Sequence, residues 1–502
     1  MLFRRVTVVA ISILAQLLLF ALMIWKFRSV SEWFYAAMIL LSLAVLLAII
    51  SRNTNPAYKL AWLVPVLSFP VFGGLFYLML GGNRISRRNR ERMNDVESHF
   101  RAHVPQNPAI TTALRQYSED AAIQSAYLQR VAGCPVYRST RATYYSLGDE
   151  ALPAMLDALR SAERYIFLEY FIISPGVMWD SILAVLKEKA AAGLDVRVLY
   201  DDFGSITQLP LGYRKELEQY GIQCHAFMPF VPIVTPRLNN RDHRKQMIID
   251  GRIGFTGGIN LADEYINQKQ RFGHWKDNAI ALQGDAVWTM TVAFLALWDF
   301  ITGTGDTISN YLPPEPDASG NGFVQPYVDT PLDDEAVGET VYLNLIARAH
   351  ESIYIMTPYL IIDYNMTEAL CNAAKSGLDV RIITPHVPDK RYVHTVTRSC
   401  YEQLIKSGVR IYEYTPGFIH SKVFWVDGEY ATVGTINLDY RSLYLHFENG
   451  VFLYGNSCIA DIHEDFQRTF ACSQEITLEM CRQAGPLVRL LRSVLYLFSP
   501  LM

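Results

Sequence analysis

The stretch from His420 to Asn437, H-S-K-V-F-W-V-D-G-E-Y-A-T-V-G-T-I-N, sets the plan of the whole chain, because it occurs twice. Residues 243–260 read H-R-K-Q-M-I-I-D-G-R-I-G-F-T-G-G-I-N and carry His, Lys, Asp, Gly and Asn at the same offsets, with no gap. One His-x-Lys-x4-Asp match arises by chance in roughly one chain in thirty of this length. Two copies with matching Gly and Asn indicate one site that is built from two similar halves.

Each copy predicts a strand, a tight turn and a second strand. The apolar residues after His and Lys alternate as in a strand, and Asp-Gly is typical of a two-residue hairpin turn. His and Lys share a face, so they can approach one phosphate, the imidazole as nucleophile or acid and the ammonium as a charge clamp. The Asn, which the hairpin brings back, can donate to the same oxygens. These candidates are His243, Lys245 and Asn260 in the first copy and His420, Lys422 and Asn437 in the second.

The Asp of each copy, Asp250 and Asp427, belongs to the motif and is counted with the catalytic candidates. At about 3.3 Å per strand residue, however, each Asp lies roughly 20 Å along the strand from its His. This distance favours a turn-forming role over a direct part in the chemistry.

The pair of motifs resembles the phospholipase D superfamily, and within it the bacterial cardiolipin synthases. The likeness extends over nearly the whole chain. It includes N-P-A-Y-K-L-A-W-L at 55–63, Asp201-Asp202-Phe-Gly-Ser, residues 239–265, Trp275-Lys-Asp277, Thr357-Pro-Tyr359, Asn437-Leu-Asp-Tyr-Arg441-Ser and Leu497-Phe-Ser-Pro-Leu501.

The resemblance implies a reaction without metal or cofactor, in which a phosphatidyl group passes through a phosphohistidine. By family analogy alone, His243 is the nucleophile and His420 the general acid and base. Carboxylates that orient the two imidazoles are expected at Glu448 in the second half and at Asp277 in the first. Thr435 is expected to donate its hydroxyl to the phosphate, where Gly258 offers only backbone, so the two halves are not equivalent.

Composition limits the other possibilities. The net charge of −4 in 502 residues argues against broad nucleic-acid binding. Seven cysteines without a C-x-x-C pair or zinc spacing indicate reduced thiols with a packing role.

Asp201-Asp202 at a strand end resembles a metal pair but has no third ligand nearby, so it is interpreted as a turn cap and no metal site is predicted.

Three apolar runs near the amino terminus, Val6 to Trp25, Trp33 to Ile50 and Leu60 to Leu80, predict a multi-pass cell-membrane protein. The prolines and glycines of the third run leave a buried or re-entrant hairpin open as an alternative. Six arginines between residues 84 and 101 place the rest of the chain in the cytoplasm, and they are either a topogenic flank or a head-group site. With three crossings, Arg52 and Lys59 face outward, which conflicts with the positive-inside tendency.

The soluble part alternates helix and strand in both halves. The expected fold is α/β, with two phospholipase D-like lobes related by a pseudo-twofold axis, each a mixed and largely parallel sheet flanked by helices. The expected divisions are a transmembrane region of two to three helices (1–83), a basic flank and linker (84–140), lobe 1 (141–301), a Gly/Pro-rich connection (302–331), lobe 2 (332–482) and an amphipathic segment (483–502). That last segment suits either a core-capping or an interfacial helix.

Three functions are compatible with these features. The favoured one is synthesis of cardiolipin and glycerol from two phosphatidylglycerols, with phospholipids and the membrane as partners and no nucleic acid. The alternative is a membrane-bound hydrolase of the same superfamily, in which water resolves the phosphohistidine. A non-catalytic scaffold is disfavoured, because His, Lys and Asn are intact in both halves.

Overall fold

The computed structural model of the protein describes residues 14, 18, 22, 32–70, 72–81, 87–229, 239–313, 320–333 and 335–501, and the structural statements below concern these residues. The first predicted apolar run, Val6 to Trp25, lies outside them apart from Leu14, Leu18 and Leu22.

Three apolar helices pack together ahead of the lobes: α1 (Glu32–Ser51), α2 (Pro56–Ser68) and α3 (Gly73–Leu80). Among the described residues, α1 is the one helix that is long and apolar enough to cross a membrane. Gly74 lets α3 approach α1 closely, since a Cβ there would stand 2.6 Å from the Ser42 Oγ. Its backbone N–H donates to that same hydroxyl.

The third predicted run, Leu60 to Leu80, is a bent hairpin of two short helices and not one crossing helix. Helix α2 ends at Ser68 and α3 begins at Gly73, with Pro70 between them. Helices of 13 and 8 residues span about 20 and 12 Å, short of a hydrocarbon core of about 30 Å. The hairpin alternative therefore describes this segment.

The connection between α1 and α2 lies against the second lobe. Asn55 caps α2, and its side-chain amide donates to the carboxylate of Asp363 and the hydroxyl of Tyr444, both at 3.1 Å. Both partners belong to the second lobe, so the connection after α1 is held against that lobe.

The segment predicted as a basic flank and linker folds into three helices, α4 (Arg87–Arg101), α5 (Pro108–Tyr117) and α6 (Glu119–Ala132). Helix α4 packs on the first-lobe helix Val287–Thr302 and buries Met93. Helix α6 buries Ala121 and Leu128 in the core of the second lobe. These helices therefore tie the membrane-proximal part to both lobes.

The first lobe contains one seven-stranded sheet and its flanking helices. The elements are β1 (Thr140–Tyr145), α7 (Gly148–Arg160), β2 (Tyr165–Tyr170), α8 (Val177–Ala191), β3 (Asp195–Asp201), α9 (Tyr213–Glu218), β4 (Gln223–Phe227), β5 (Lys245–Ile249), β6 (Ile253–Gly257), β7 (His274–Lys276), β8 (Ala279–Gly284) and α10 (Val287–Thr302). The strand order is β1-β8-β6-β5-β2-β3-β4, and β7 lies outside this sheet.

The second lobe repeats the plan with eight strands. The elements are β9 (Phe323–Asp329), α11 (Val337–Ala347), β10 (Ser352–Met356), β11 (Leu360–Ile361), α12 (Tyr364–Lys375), β12 (Asp379–Pro385), α13 (Arg391–Lys406), β13 (Arg410–Tyr414), β14 (Gly417–Ile419), β15 (Val423–Val426), β16 (Tyr430–Gly434), β17 (Leu438–Asp439), α14 (Tyr440–Tyr444), β18 (Glu448–Tyr454), α15 (Cys458–Ala471), β19 (Ser473–Ile476), α16 (Leu478–Arg482) and α17 (Pro486–Leu497). The order of the large sheet is β19-β13-β12-β10-β15-β16-β18-β9.

The expectation of largely parallel sheets is wrong. Only β2, β3 and β4 in the first sheet and β10, β12 and β13 in the second run parallel, while all other neighbours are antiparallel. The physical reason is the repeated hairpin, β5–β6 and β15–β16, because its tight turn requires antiparallel pairing. The next strands, β8 and β18, then pair antiparallel with β6 and β16. The predicted connection 302–331 also contains strand β9, an edge of the second sheet.

The strands of the first sheet are apolar on both faces. Ile166 and Leu168 face the cluster that contains α7 and α8, while Phe167 between them faces a second cluster. That second cluster continues through α10 into Val423 and Val433 of the other lobe. The lobes therefore share one hydrophobic core, which fixes the position of one repeated hairpin against the other.

The carboxyl-terminal helix α17 has no buried residue. It packs on α13 and contacts α2, and it leaves Leu487 and Leu490 79% and 61% exposed. Leu495 packs against a small core cluster that includes Val396, so α17 has features of both the core-capping and the interfacial alternatives.

Candidate active site

The two motif hairpins close through the turns that the sequence predicts. Asp250 and Gly251 have φ values of 53° and 67°, and Asp427 and Gly428 have 53° and 74°. Two successive residues with positive φ form the turn type whose twist matches a hairpin, and Asp-Gly adopts it readily.

The Asp side chains of the motif serve the backbone and not the reaction. The Asp250 carboxylate accepts three hydrogen bonds of 2.8 Å from the N–H groups of residues 163, 164 and 165, at the start of β2. Asp427 accepts the equivalent three from residues 350–352, at 2.7 to 2.9 Å. Both carboxylates lie beyond the end of the strand that is remote from the histidine. Their place among the catalytic candidates is therefore not supported by the geometry, whereas the turn-forming role is.

The backbone of each motif histidine pairs with the opposite lobe. The His243 N–H donates to the Phe447 carbonyl at 2.9 Å, next to a parallel bridge between Asp242 and Phe447. In the same way, β14 pairs in parallel with β7, and the His420 N–H donates to the Lys276 carbonyl at 2.7 Å. The residue that follows each acceptor is a carboxylate, Glu448 in one case and Asp277 in the other.

As a result, the histidines and carboxylates are exchanged between the lobes. His243 Nδ1 lies 2.8 Å from Glu448 Oε1, and His420 Nδ1 lies 2.6 Å from Asp277 Oδ2. Both carboxylates are fully buried, and each histidine is 7% exposed. Each imidazole is oriented through Nδ1, so that Nε2 remains for the reaction. Neither motif histidine is therefore paired with a carboxylate of its own lobe.

Thr435 and Gly258 occupy equivalent places, and their difference has a steric cause. The Thr435 hydroxyl donates to Glu448 Oε2 at 2.5 Å. A hydroxyl has one hydrogen, so the expectation that Thr435 donates to phosphate is not met. A Cβ at Gly258 would stand 1.9 Å from Asp277 Oδ1, so only glycine leaves room for the carboxylate in the first lobe.

The motif lysines are buried beside the histidines. Lys245 Nζ donates to the His243 carbonyl at 2.5 Å, and Lys422 Nζ donates to the His420 carbonyl. Burial lowers the pKa of Lys245 to about 7 and that of Lys422 to about 8. Both ammonium groups are thereby held next to the motif histidines, where they can stabilise a bound anion.

Burial also changes the acid–base chemistry of the paired groups. It lowers the pKa of both imidazoles well below the usual value, and the charges of Lys245 and Lys422 lower it further. Burial raises the pKa of Asp277 to about 7, although Lys422 opposes this effect. Neutral imidazoles are the form that attacks phosphorus.

The two motif asparagines differ in their hydrogen bonds. Asn260 accepts from the Ile172 N–H at 2.9 Å and donates to the Tyr265 hydroxyl at 2.7 Å, which leaves one amide hydrogen for a ligand. The buried Oδ1 of Asn437 has no hydrogen-bond partner among the described residues. Both asparagines follow the strand, β6 or β16, that returns along the motif strand toward the lysine end of the hairpin.

Asp201 is a structural residue, as the sequence indicates. Its Oδ1 accepts from the N–H groups of Phe203 and Gly204 at 2.9 Å, and its Oδ2 accepts from that of Asp242. Arg241 Nε lies 3.2 Å from the same Oδ2. Asp201 thereby braces the backbone one residue ahead of His243.

His446 is a site neighbour that sequence reasoning missed. Its ring centroid lies 5.4 Å from that of His243, and its Nδ1 lies 3.7 Å from Glu448 Oε1. Neither ring nitrogen has a hydrogen-bond partner within the described parts of the chain. It also lines a cavity of about 300 Å³ that reaches Asn53 in the connection after α1. The available signal was its spacing of two residues from Glu448, which places both on one face of an extended segment.

Comparison with known proteins agrees with this geometry. The family model described as "Cardiolipin synthase, PLD-like domain" matches residues 155–286 and 342–470. A second model, "Phospholipase_D-nuclease N-terminal", matches residues 39–82.

Curated relatives match over most of their length. A cardiolipin synthase of Geobacillus kaustophilus is 36% identical over 462 residues, which cover 91% of each chain. A cardiolipin synthase of Alkalihalophilus pseudofirmus is 34% identical over 483 residues, 95% of each chain. An uncharacterized protein of Streptococcus mutans is 40% identical over 457 residues, 91% of this chain and 99% of that one.

Among solved structures, phosphatidylserine synthase of Haemophilus influenzae matches with a TM-score of 0.59 at 16% identity, over 74% of this chain and 98% of its own. At that identity the likeness establishes the fold alone. Together, the two exchanged histidine–carboxylate pairs, the matched domain model and the relatives establish that this chain belongs to the cardiolipin synthase family of the phospholipase D superfamily.

Proposed function

We propose that the protein is a cardiolipin synthase, which transfers a phosphatidyl group from one phosphatidylglycerol to another and releases glycerol. The observation that carries this proposal is the exchange of carboxylates between the lobes, which places His243 with Glu448 beside His420 with Asp277 in one buried site. Two oriented imidazoles are what a two-step displacement at phosphorus needs, one as nucleophile and one to move the proton.

In the first step, His243 Nε2 attacks the phosphorus of one lipid. The new P–N bond forms as the P–O bond to glycerol breaks, and His420 gives its Nε2 proton to the departing oxygen. In the second step, neutral His420 takes the proton from a hydroxyl of the second phosphatidylglycerol. That oxygen attacks the phosphohistidine, the P–N bond breaks, and cardiolipin leaves.

The environments of the two histidines support this assignment of roles. The partner of His243 is Glu448, which Thr435 holds by a further hydrogen bond. The partner of His420 is Asp277, whose pKa of about 7 suits a pair that gains and loses a proton in each cycle. Bound phosphate offsets the charges of Lys245 and Lys422, which raises the pKa of His420 toward the range of a general acid.

Product analysis by mass spectrometry tests this function. Purified protein in phosphatidylglycerol vesicles with chelator is expected to produce cardiolipin and equimolar glycerol. His243→Ala and His420→Ala should abolish both products, while His350→Ala, at a 77% exposed side chain, serves as the matched control. Phosphatidic acid without cardiolipin would instead identify a hydrolase, and cardiolipin from both active-site variants would refute the site.

We also propose that the lobes face the cytoplasm and that the chain crosses the membrane twice, once through the run Val6 to Trp25 and once through α1. The connection after α1 lies on the second lobe, through Asn55. The α2–α3 hairpin then stays on the side of the lobes. This arrangement puts Arg52 and Lys59 on one side with the arginines of residues 84–101, and it leaves Lys26 and Arg28 as the two basic residues of the outer loop.

The apolar surface next to the hairpin supports the same orientation. Leu60 and Leu67 on α2 are 53% and 63% exposed, and they lie near the exposed leucines of α17. We place this surface in the interface of the bilayer, beside the entrance for lipids.

Labelling with a membrane-impermeant maleimide distinguishes the topologies. Asn53→Cys, at an exposed position, is introduced into a Cys472→Ala background, since Cys472 is the exposed one of the seven cysteines. Labelling in inside-out vesicles and not in intact cells is expected. The reverse pattern would support three crossings.

A further inference from the structure

His446 takes no part in the reaction described above, although it lies next to the His243–Glu448 pair. Its side chain is 10% exposed, and both ring nitrogens lack a hydrogen-bond partner among the described residues. A buried polar group without a partner costs free energy, so such a group in a site commonly marks the place of a ligand.

Three ligand atoms converge at this point. One nitrogen of His243, one nitrogen of His446 and one carboxylate oxygen of Glu448 lie within 4.8 Å of one another. The carboxylate oxygen is 2.8 Å from His243 Nδ1 and 3.7 Å from His446 Nδ1. Tetrahedral zinc with bonds of about 2.0 to 2.1 Å holds neighbouring ligands about 3.4 Å apart. Changes of about 0.3 to 1.4 Å in these separations therefore bring the three atoms into range.

We infer that a zinc-class divalent ion binds His243 Nδ1, His446 and Glu448 and thereby inhibits the enzyme. Two imidazoles and one carboxylate form a donor set that zinc prefers and that Mg²⁺ and Ca²⁺ do not. The adjacent cavity of about 300 Å³, which His446 lines, offers the ion a path and a water molecule as fourth ligand.

Inhibition follows from the tautomer of His243. In the metal-free enzyme, His243 Nδ1 lies 2.8 Å from Glu448 Oε1. A carboxylate only accepts hydrogen bonds, so we assign the one proton of the neutral ring to Nδ1 and the lone pair that attacks phosphorus to Nε2. A metal on Nδ1 requires a lone pair there, and the proton moves through solvent to Nε2. Protonated Nε2 cannot attack, so no phosphohistidine forms, and no net proton is gained or lost.

The ammonium groups of Lys245 and Lys422 oppose a cation electrostatically, so we expect inhibition by added zinc and not a resident metal.

The test compares wild type, His446→Asn and His446→Phe, with His350→Asn as control. All four are freed of metal by chelator and returned to chelator-free buffer. Zinc inhibition of cardiolipin formation is measured, and Co²⁺ binding is followed by the visible absorption of tetrahedral Co²⁺. Wild type and the control should be inhibited and show the absorption. Both His446 variants should keep their activity without metal and need at least about tenfold more zinc for the same inhibition.

Unchanged zinc inhibition in both His446 variants would place the site elsewhere and overturn the inference. Absence of the Co²⁺ absorption in wild type, or binding without inhibition, would also overturn it. Inhibition by Mg²⁺ as strong as that by zinc would contradict the donor set. The expected inhibition of cardiolipin formation rests on the proposed function, whereas the expected binding of Co²⁺ does not. Failure of all metal-free samples to make cardiolipin would therefore refute the function and leave the metal site decided by the spectra.

Discussion

At the scale of single residues, the site depends on two equivalent pairs of positions that carry different residues in the two lobes. In the second lobe, a long carboxylate, Glu448, is held by Thr435, while in the first a short one, Asp277, stands against Gly258. The sequence shows that the two halves differ at this point, but not why. The reason is a clash between residues 19 positions apart, which only the folded backbone reveals.

Gly258→Ala tests this packing. The added methyl group would displace the Asp277 carboxylate and leave His420 without its orienting partner. We expect cardiolipin synthesis to fall by about 10- to 100-fold, the usual loss when an orienting group is removed. Gly485→Ala is the control, because a Cβ there has open space around it. Equal activity of both variants would mean that Asp277 does not position His420.

Asp250→Ala should affect stability and not catalysis. Its carboxylate satisfies three backbone N–H groups, and their loss is expected to lower the free energy of unfolding by about 2 to 3 kcal/mol. A lower thermal-unfolding midpoint in detergent should accompany turnover within about twofold of wild type per folded molecule. Asp427→Ala should behave alike. A loss of turnover at unchanged stability would restore these residues to the catalytic set.

The lysines predict the pH dependence. Lys245 and Lys422 have pKa values lowered to about 7 and about 8, so each loses its charge as the pH rises through those values. Charged lysines are needed to bind phosphate, so kcat/KM should fall from about pH 7 to 9. The nucleophile His243, whose pKa is lowered well below its usual value by burial, stays neutral at pH 6 to 7 and does not limit the rate there. A kcat/KM that is constant to pH 9 would contradict this role of the lysines.

At the scale of elements, local signals predicted the structure well. The hairpins β5–β6 and β15–β16 follow from period-two patterns and Asp-Gly turns, since both are decided within a few residues. The direction of the other strands was not predictable, because an apolar strand has the same pattern in parallel and antiparallel pairs. The third apolar run was long enough to cross a membrane, but Pro70 and the close approach of Gly74 to α1 divide it into α2 and α3.

At the scale of the whole molecule, duplication predicted two lobes and one site. It did not predict that each histidine takes its carboxylate from the other lobe. The exchange depends on β7 pairing with β14 and on Asp242 meeting Phe447, contacts between segments more than 100 residues apart. Its consequence is that neither lobe alone contains a motif histidine together with the carboxylate that orients it.

The most direct test of this account uses a phosphatidyl ester of p-nitrophenol, a leaving group that departs without a proton. Release of p-nitrophenol is measured for His243→Ala, Glu448→Gln, His420→Ala and Asp277→Asn. If His243 with Glu448 forms the nucleophile, the first two variants should lose release. The other two should retain the first burst of release, because their defect lies in moving protons. The exchanged pairs would be contradicted if the variants grouped by lobe instead. In that case Asp277→Asn would lose the burst together with His243→Ala, while Glu448→Gln would keep it.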